Sequence, residues 1–414
     1  MTQILRPSSA GGPNKWRPAL VRLVLAGTGG AGLALGQAPF SMLPLALTGL
    51  IFILLALRLG SGSRQGAATG WAAGLVYFAI TLHWITEPFQ VDAATYGWMA
   101  PFALALLAGG LALFWGAAGW VAGRARNLMV FALALSAAEL LRAFVFTGFP
   151  WGMIAGLWLD TPLAAGLGWV GPHGLGLLSV AICAALVSPG RWPKLVGASV
   201  GTILGALGLI FAPQAPDIPA DAPIIRLVQP NAPQHLKWDP DWVPVFYRRQ
   251  IEATEAPGAP DLTIWPETAV ALRLPRDQSG LERIAQAASG RPVILGLNRF
   301  EGARVFNSVI ALDPVGEIKT RYDKAHLVPF GEYVPFGAVL GRFGIHGLAD
   351  TDGGGYSAGP GPTLLDLGAL GLALPLVCYE AIFPQFGRKL SAQARVMLHL
   401  TNDAWFGDFA GPAQ

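Results

Sequence analysis

The first half of the chain contains seven apolar stretches long enough to cross a lipid bilayer as helices. A helix needs about 20 consecutive apolar residues to span the hydrocarbon core, and a helix satisfies its own backbone hydrogen bonds there. The stretches therefore predict an α-helical polytopic membrane domain over residues 1–212. The approximate limits of the seven predicted spans are 18–36, 39–57, 67–86, 96–121, 128–147, 162–188 and 193–212.

The composition changes at the same place in the chain. Hydrophobic residues make up 53% of the 414 residues and charged residues only 13%, well below the roughly 25% of soluble proteins. Residues 1–212 hold 11 Lys and Arg and 4 Asp and Glu, whereas residues 213–414 hold 17 and 21. A water-soluble domain is thus predicted from residue 213 onward. Its slightly acidic balance gives no support to nucleic-acid binding.

The short connections between the spans differ in charge. Cytoplasmic connections carry the excess of Lys and Arg. The alternation therefore predicts a cytoplasmic N-terminus, and seven crossings then place residue 213 onward on the outer side of the membrane. The basic residues are Arg6, Lys15, Arg17, Arg58, Arg64, Arg124, Arg126, Arg191 and Lys194, and the alternate connections hold Glu87, Asp92 and Asp160.

Two charged residues lie inside the fifth predicted span. Glu139 and Arg142 are three residues apart, a spacing that puts both on one helix face. Ionisable groups at membrane depth are costly and often functional. The alternatives are a functional pair and a structural ion pair that faces the interior of the helix bundle.

The second half shows short apolar runs rich in β-branched residues, with helical patterns between some of them. Strands and helices in this mixture predict an α/β domain. The predicted strands are 224–228, 262–265, 292–297, 305–312, 372–377 and 396–400, and the predicted helices are 241–255 and 279–289.

Three residues in three separate parts of the second half suit one chemistry. Cys378 follows Leu372–Val377, Glu267 follows Leu262–Ile264, and Lys324 precedes His326. A thiol nucleophile needs a base to take its proton, and a fixed cation stabilises the oxyanion formed on an attacked carbonyl. An inert core cysteine is the ordinary alternative. Together the three residues predict a Glu-Lys-Cys catalytic triad.

The segments WPET, KAHLVPFGEYVP and CYE resemble the nitrilase (carbon-nitrogen hydrolase) superfamily. Preceded by a multispan membrane region, they resemble the apolipoprotein N-acyltransferase family over nearly the whole chain. Two further stretches carry the same resemblance, Val228–Gln234 with Lys237–Pro240, and Phe306–Ser308.

The resemblance implies an α-β-β-α sandwich and a lipid-dependent acyltransferase. It also implies that the membrane is the bacterial inner (plasma) membrane, which would put the domain from residue 213 in the periplasm. Cys378 is expected to take a fatty acyl group from a phospholipid as a thioester, and the acceptor is the N-terminal diacylglyceryl-cysteine amine of an apolipoprotein. No metal or other cofactor is implied. The supporting or substrate-binding residues are expected to be Glu332, Tyr379, Glu380, Trp238, Asn307 and Trp405.

Several alternatives remain open from the sequence. The chain could be an amidase or nitrilase in which water resolves the acyl-enzyme, or a membrane scaffold or transporter with an inactive domain.

The long irregular segment 331–362 is expected to be an apolar lid, or else a variable insertion. The family's domain normally continues beyond the strand at 396–403, so the chain is expected to lack a C-terminal part and a last membrane span. Cys183 and Cys378 lie in different halves, which predicts no disulfide framework.

Overall fold

The computed structural model describes residues 16–212, 217–272, 277–335, 355–383 and 385–414. Two compact units are present. The first contains Met1–Thr86, Ala100–Gln214 and Ala413–Gln414, and the second contains Glu87–Met99 and Ala215–Pro412.

The first unit is helical, and its long helices overlap the seven predicted segments. They are α1 (Trp16–Ala34), α2 (Leu43–Leu59), α3 (Ser63–Thr81), α5 (Ala100–Ala125), α6 (Leu128–Arg142), α7 (Leu167–Val187) and α8 (Arg191–Ile210), and the short α4 (Ala93–Tyr96) belongs to the second unit.

Within the described residues, three helical stretches are long and apolar enough to cross a membrane, namely Ala93–Ala125, Pro162–Val187 and Arg191–Ile210. A fourth qualifies if Ser63–Thr81 and His83–Gln90, which are bent by 45°, form one span. Pro18–Ala34 and Leu43–Leu59 are shorter apolar helices. The count of seven spans stays a prediction.

Glycines allow the helices of the first unit to approach closely. A Cβ atom on Gly66 would lie 2.1 Å from the carbonyl oxygen of Gly119, and one on Gly119 would lie 2.2 Å from that of Gly66. Only residues without a side chain permit such a crossing of α3 and α5. Small residues at helix contacts are the usual means of close packing in membranes.

Glu139 and Arg142 are both buried in the first unit, but each contacts backbone groups that follow α6. Arg142 Nη1 donates to the carbonyl oxygen of Trp151 at 2.6 Å, and Glu139 Oε1 accepts from the N–H of Ile154 at 3.4 Å. In this described region, no direct ion pair joins the two side chains within 4.0 Å. The two side chains therefore hold the segment after α6, and the direct ion pair that was one of the two alternatives from the sequence is not formed.

The second unit contains two β-sheets. The five-stranded sheet has the order β1-β2-β3-β4-β5, with β1 to β3 parallel and β3 to β5 antiparallel, and the three-stranded sheet has the order β6-β7-β8. The strands are β1 (Ile225–Leu227), β2 (Leu262–Ile264), β3 (Val293–Glu301), β4 (Arg304–Leu312), β5 (Ile318–Asp323), β6 (Leu365–Asp366), β7 (Leu372–Val377) and β8 (Val396–Leu400). The two longer helices of this unit are α9 (Val243–Glu255) and α10 (Gln278–Ala287).

The faces of the five-stranded sheet belong to two separate cores. Side chains alternate along a strand, so Val293 and Leu295 of β3 pack with residues of α9 and α10, whereas Ile294 packs with residues of β7 and β8. The two sheets thus lie face to face, and helices cover one outer face. This arrangement agrees with the predicted nitrilase-like α/β domain that follows a helical region.

Candidate functional site

Glu267 lies in a turn directly after β2. The turn closes against β3, because the N–H of Gly296 donates to the carbonyl oxygen of Pro266 at 3.1 Å. A Cβ atom on Gly296 would lie 2.7 Å from Glu267 Cα. Thr268 has φ +45°, which is a costly conformation for a β-branched residue.

Both carboxylate oxygens of Glu267 accept hydrogen bonds. Asn307 Nδ2 donates to Oε1 at 2.7 Å, and the N–H of Asn402 donates to Oε2 at 2.9 Å. Glu267 is 7% exposed. The side chain is therefore fixed in direction and shielded from bulk water.

Lys324 follows β5 and is 1% exposed. Its Nζ lies 2.9 Å from Glu332 Oε2 and 3.8 Å from Glu267 Oε1. Burial disfavours the charged form, but the fields of Glu332 and Glu267 outweigh burial, and the pKa of Lys324 is raised above its usual range. The side chain is therefore a permanent ammonium with two carboxylates beside it.

Cys378 is the first residue after β7 and begins the 3-10 turn Cys378–Ile382. It has φ +48°, a strained conformation of the kind that clusters at active sites. Its thiol is hydrogen-bonded to Thr401. Loss of hydration, followed by the negative charge of Glu267, raises the pKa of this thiol to about 12, although Lys324 acts in the opposite direction. The resting side chain is thus a neutral thiol.

The three predicted residues come together from both sheets. Glu267 and Lys324 follow β2 and β5 of one sheet, and Cys378 follows β7 of the other. The charges of Glu267 and Lys324 act directly on the Cys378 thiol. One place in the fold therefore holds a proton acceptor, a fixed cation and a thiol.

Glu332 and Asn307 connect the two charged groups. Asn307 Nδ2 donates to Glu332 Oε1 at 3.1 Å as well as to Glu267, and the N–H of Val328 donates to Glu332 Oε2 at 2.9 Å. Glu332 is buried and contacts Lys324 directly. Glu332 therefore holds the ammonium of Lys324 in place and shares the donor Asn307 with Glu267.

Glu380 is fully buried beneath the ends of β5 and β7. It accepts hydrogen bonds from Tyr322 Oη at 2.7 Å, from the N–H of Ala325 at 2.8 Å, from the N–H of His326 at 3.0 Å and from the N–H of Val377 at 2.8 Å. Burial raises the pKa of Glu380, although these donors oppose the shift. The carboxylate links the residues that flank Lys324 to the residue before Cys378.

The predicted aromatic residues lie in different surroundings. Tyr379 is buried and packs edge-on against Phe383, with ring centroids 4.9 Å apart. Trp238 is 43% exposed, and Lys237 Nζ lies 5.4 Å from the centre of its ring. Trp405 is partly exposed in a 3-10 turn, Asp403–Trp405, that follows Asn402. The predicted apolar lid falls largely on residues 336–354, which lie outside the described residues.

Three contacts of the site had no signal in the sequence. They are the backbone donor at Asn402, the contact of Lys237 with the Glu267 turn, and the hydroxyl of Tyr322 on Glu380. The Asn402 contact joins residues 135 positions apart. Among the described residues, no group of three or more His, Cys, Asp and Glu is arranged to hold a metal ion.

Both units of the chain match families of known proteins. Residues 29–185 match the family model of the apolipoprotein N-acyltransferase N-terminal domain, and residues 248–414 match the carbon-nitrogen hydrolase model. The apolipoprotein N-acyltransferase of Caulobacter vibrioides is 34% identical over 418 residues, which cover 93% of this chain and 77% of that protein. The apolipoprotein N-acyltransferase of Brucella melitensis is 34% identical over 441 residues, which cover 97% and 81%.

Among solved structures, an amidase from Nesterenkonia sp. AN1 matches 44% of this chain and 67% of its own chain, with 19% identity and a TM-score of 0.32. The two structures therefore superpose only loosely.

Proposed function

Because this chain belongs to the apolipoprotein N-acyltransferase family, we propose that it transfers a fatty acyl group to apolipoproteins during lipoprotein maturation. The proposed donor is a membrane phospholipid. The proposed acceptor is the free α-amino group of the diacylglyceryl-cysteine at the apolipoprotein N-terminus. The observation that carries the proposal is the convergence of Glu267, Lys324 and Cys378 within a family of acyltransferases.

The first half-reaction forms an acyl-enzyme. Cys378 Sγ attacks the ester carbonyl of the phospholipid while Glu267 takes the thiol proton. A neutral thiol requires such a base at the moment of attack. The proton then passes to the oxygen of the departing lysophospholipid as the ester bond breaks, leaving a thioester on Cys378.

Lys324 stabilises the oxyanion of each tetrahedral intermediate. Its ammonium is already fixed by Glu332, so little reorganisation accompanies charge development. Fixed donors in a site without bulk water are worth far more than the same donors in water. The raised pKa of Lys324 means that the cation is kept throughout the cycle.

The second half-reaction consumes the thioester. The acceptor amine attacks the thioester carbonyl, Glu267 takes a proton from the nitrogen, and the C–S bond breaks to release the thiolate. The thiolate recovers the proton from Glu267. The amide product and the resting enzyme result.

The alternatives drawn from the sequence are not favoured. The curated relatives that match over most of this chain are acyltransferases, and both of the family's parts are present. A membrane protein is consistent with the apolar helices of the first unit. The proposed location is the bacterial inner membrane, with the catalytic unit in the periplasm.

Trapping of the intermediate tests the proposal. Purified protein incubated with phospholipid and no amine acceptor should gain one fatty acyl group by intact-mass analysis, removable by hydroxylamine and located on the Cys378 peptide. Cys378→Ala should not gain it, and Cys183→Ala should gain it normally. Acylation that persists in Cys378→Ala would overturn the assignment, and rapid hydrolysis without accumulation would favour the amidase.

A further inference from the structure

We propose that Lys237 is a positioning residue of this site, which holds the turn that carries Glu267. The inference rests on the proposed function, since it assigns Glu267 the part of general base. Lys237 lies between β1 and α9 and is not among the residues that the mechanism uses.

The ammonium of Lys237 is buried against the turn. The residue is 9% exposed. Its Nζ donates to Thr268 Oγ1 at 2.7 Å and to the carbonyl oxygen of Glu267 at 3.3 Å. The indole ring of Trp238 lies 5.4 Å from the same nitrogen. Burying a charge is expensive unless its donors are satisfied, so the two hydrogen bonds and the aromatic ring account for its retention.

The turn needs support because its backbone is strained. Thr268 has φ +45°, and such conformations persist only when the surroundings enforce them. Gly296 supplies backbone contacts to the turn. Lys237 adds the only described side-chain cation that hydrogen-bonds to both residues of the turn, so losing it should let the Glu267 carboxylate move.

A second contact from the same loop reaches the carboxylate by another route. Gln234 Oε1 accepts from Asn402 Nδ2 at 2.8 Å, and the N–H of Asn402 donates to Glu267 Oε2 at 2.9 Å. Gln234 is also buried. One loop therefore orients the backbone of Glu267 through Lys237 and a partner of its carboxylate through Gln234.

Because Lys237 carries a charge that can titrate, its role should appear in the pH dependence of acylation, which a purely structural residue would not affect. Burial lowers the pKa of Lys237 to about 8, although Glu267 opposes the shift. Glu267 is the charged group that acts on the pKa of Lys237, and Glu267 itself lies 3.8 Å from Lys324, which pairs with Glu332. The active form contains the ammonium, so the rate of Cys378 acylation should fall as the pH rises through about 8.

The test measures single-turnover acylation of Cys378 in the full-length chain with phospholipid vesicles. Lys237→Met should slow acylation about 100-fold, the usual cost of a misplaced catalytic group, with little change in the lipid concentration for half-saturation. Lys237→Arg should acylate faster than Lys237→Met and should lose the decline above pH 8, because a guanidinium stays protonated. Lys389→Met, at an exposed lysine, is the matched control and should behave as wild type.

Thr268→Val keeps the side-chain shape and removes one acceptor, and it tests the contact if Lys237→Met does not fold. It should slow acylation about 10-fold, the lower end of the range for a hydrogen bond donated by a charged group. Wild-type rates in Lys237→Met, or an unchanged pH profile in Lys237→Arg, would overturn the proposal. Failure of the wild type to form any acyl-enzyme would instead overturn the proposed function.

Discussion

The backbone N–H of Asn402 donates to Oε2 of Glu267 at 2.9 Å, so the proposed base is held by a residue that follows β8 of the other sheet. Oε1 of the same carboxylate accepts from Asn307. Both oxygens therefore face donors. The arrangement suits an ionised carboxylate, which only accepts hydrogen bonds.

Glu267→Gln should lose activity for a geometric reason as well as a chemical one. The amide cannot take the thiol proton, and its NH2 group must face either Asn307 Nδ2 or the N–H of Asn402. We expect acylation of Cys378 to slow about 100- to 10,000-fold, the range for loss of a general base. Single-turnover mass analysis measures it. Glu282→Gln, on the exposed side of α10, should be unaffected, and near-normal acylation of Glu267→Gln would refute the assigned role.

Lys324→Arg should be severely impaired although it keeps the positive charge. A planar guanidinium is larger than an ammonium and prefers two-pronged contact with a carboxylate, so it would turn toward Glu332 and away from the oxyanion. Loss of an oxyanion donor typically costs about 100- to 1000-fold in turnover. Turnover of purified Lys324→Arg should be compared with that of Lys319→Arg, an exposed position on β5. Equal turnover of the two variants would contradict the role of Lys324.

The resting thiol should react slowly with alkylating agents near neutral pH. The pKa of Cys378 is raised to about 12, so the thiol stays protonated at neutral pH, and only the thiolate is reactive. The rate of carboxamidomethylation, followed on the Cys378 peptide in a Cys183→Ser background, should rise continuously between pH 7 and pH 10. A plateau near pH 7 would mean that the free enzyme holds a preformed thiolate.

The membrane topology predicts that a reporter active only in the periplasm will be active when fused after residue 222. The positions of Lys and Arg support this outcome. So does the membership of Glu87–Met99, a connection predicted to lie outside, in the same compact unit as Ala215–Pro412. A fusion after residue 62, in a basic connection, should be inactive. The reverse pattern would invert the topology.

Part of the site could be predicted because two of its three main residues, Glu267 and Cys378, follow short apolar strands. Such strands end where the chain leaves the core, so the next polar residues meet at the sheet edge. The positions of Glu267 and Cys378 follow from this local pattern. The hydrogen bond from Asn402 does not, because it depends on how the two sheets pack.

Two differences between the sequence predictions and the structure, at strand β5 and at the end of the fifth predicted span, have physical explanations. Strand β5 was not predicted because its sequence is mostly polar, and it lies at the edge of its sheet with Lys319 and Arg321 exposed. The predicted fifth span extends to residue 147, whereas α6 ends at Arg142. Phe146 and Gly148 have φ +63° and +77°, values that a helix cannot contain.

Glu380 has a consequence for the precision of the site. Its carboxylate binds the N–H groups of Ala325 and His326, just after Lys324, and the N–H of Val377, just before Cys378. A thermal displacement of the end of β5 should therefore displace the end of β7 as well. The cation and the sulfur should move as a pair, and the gap between them should vary less than the position of either.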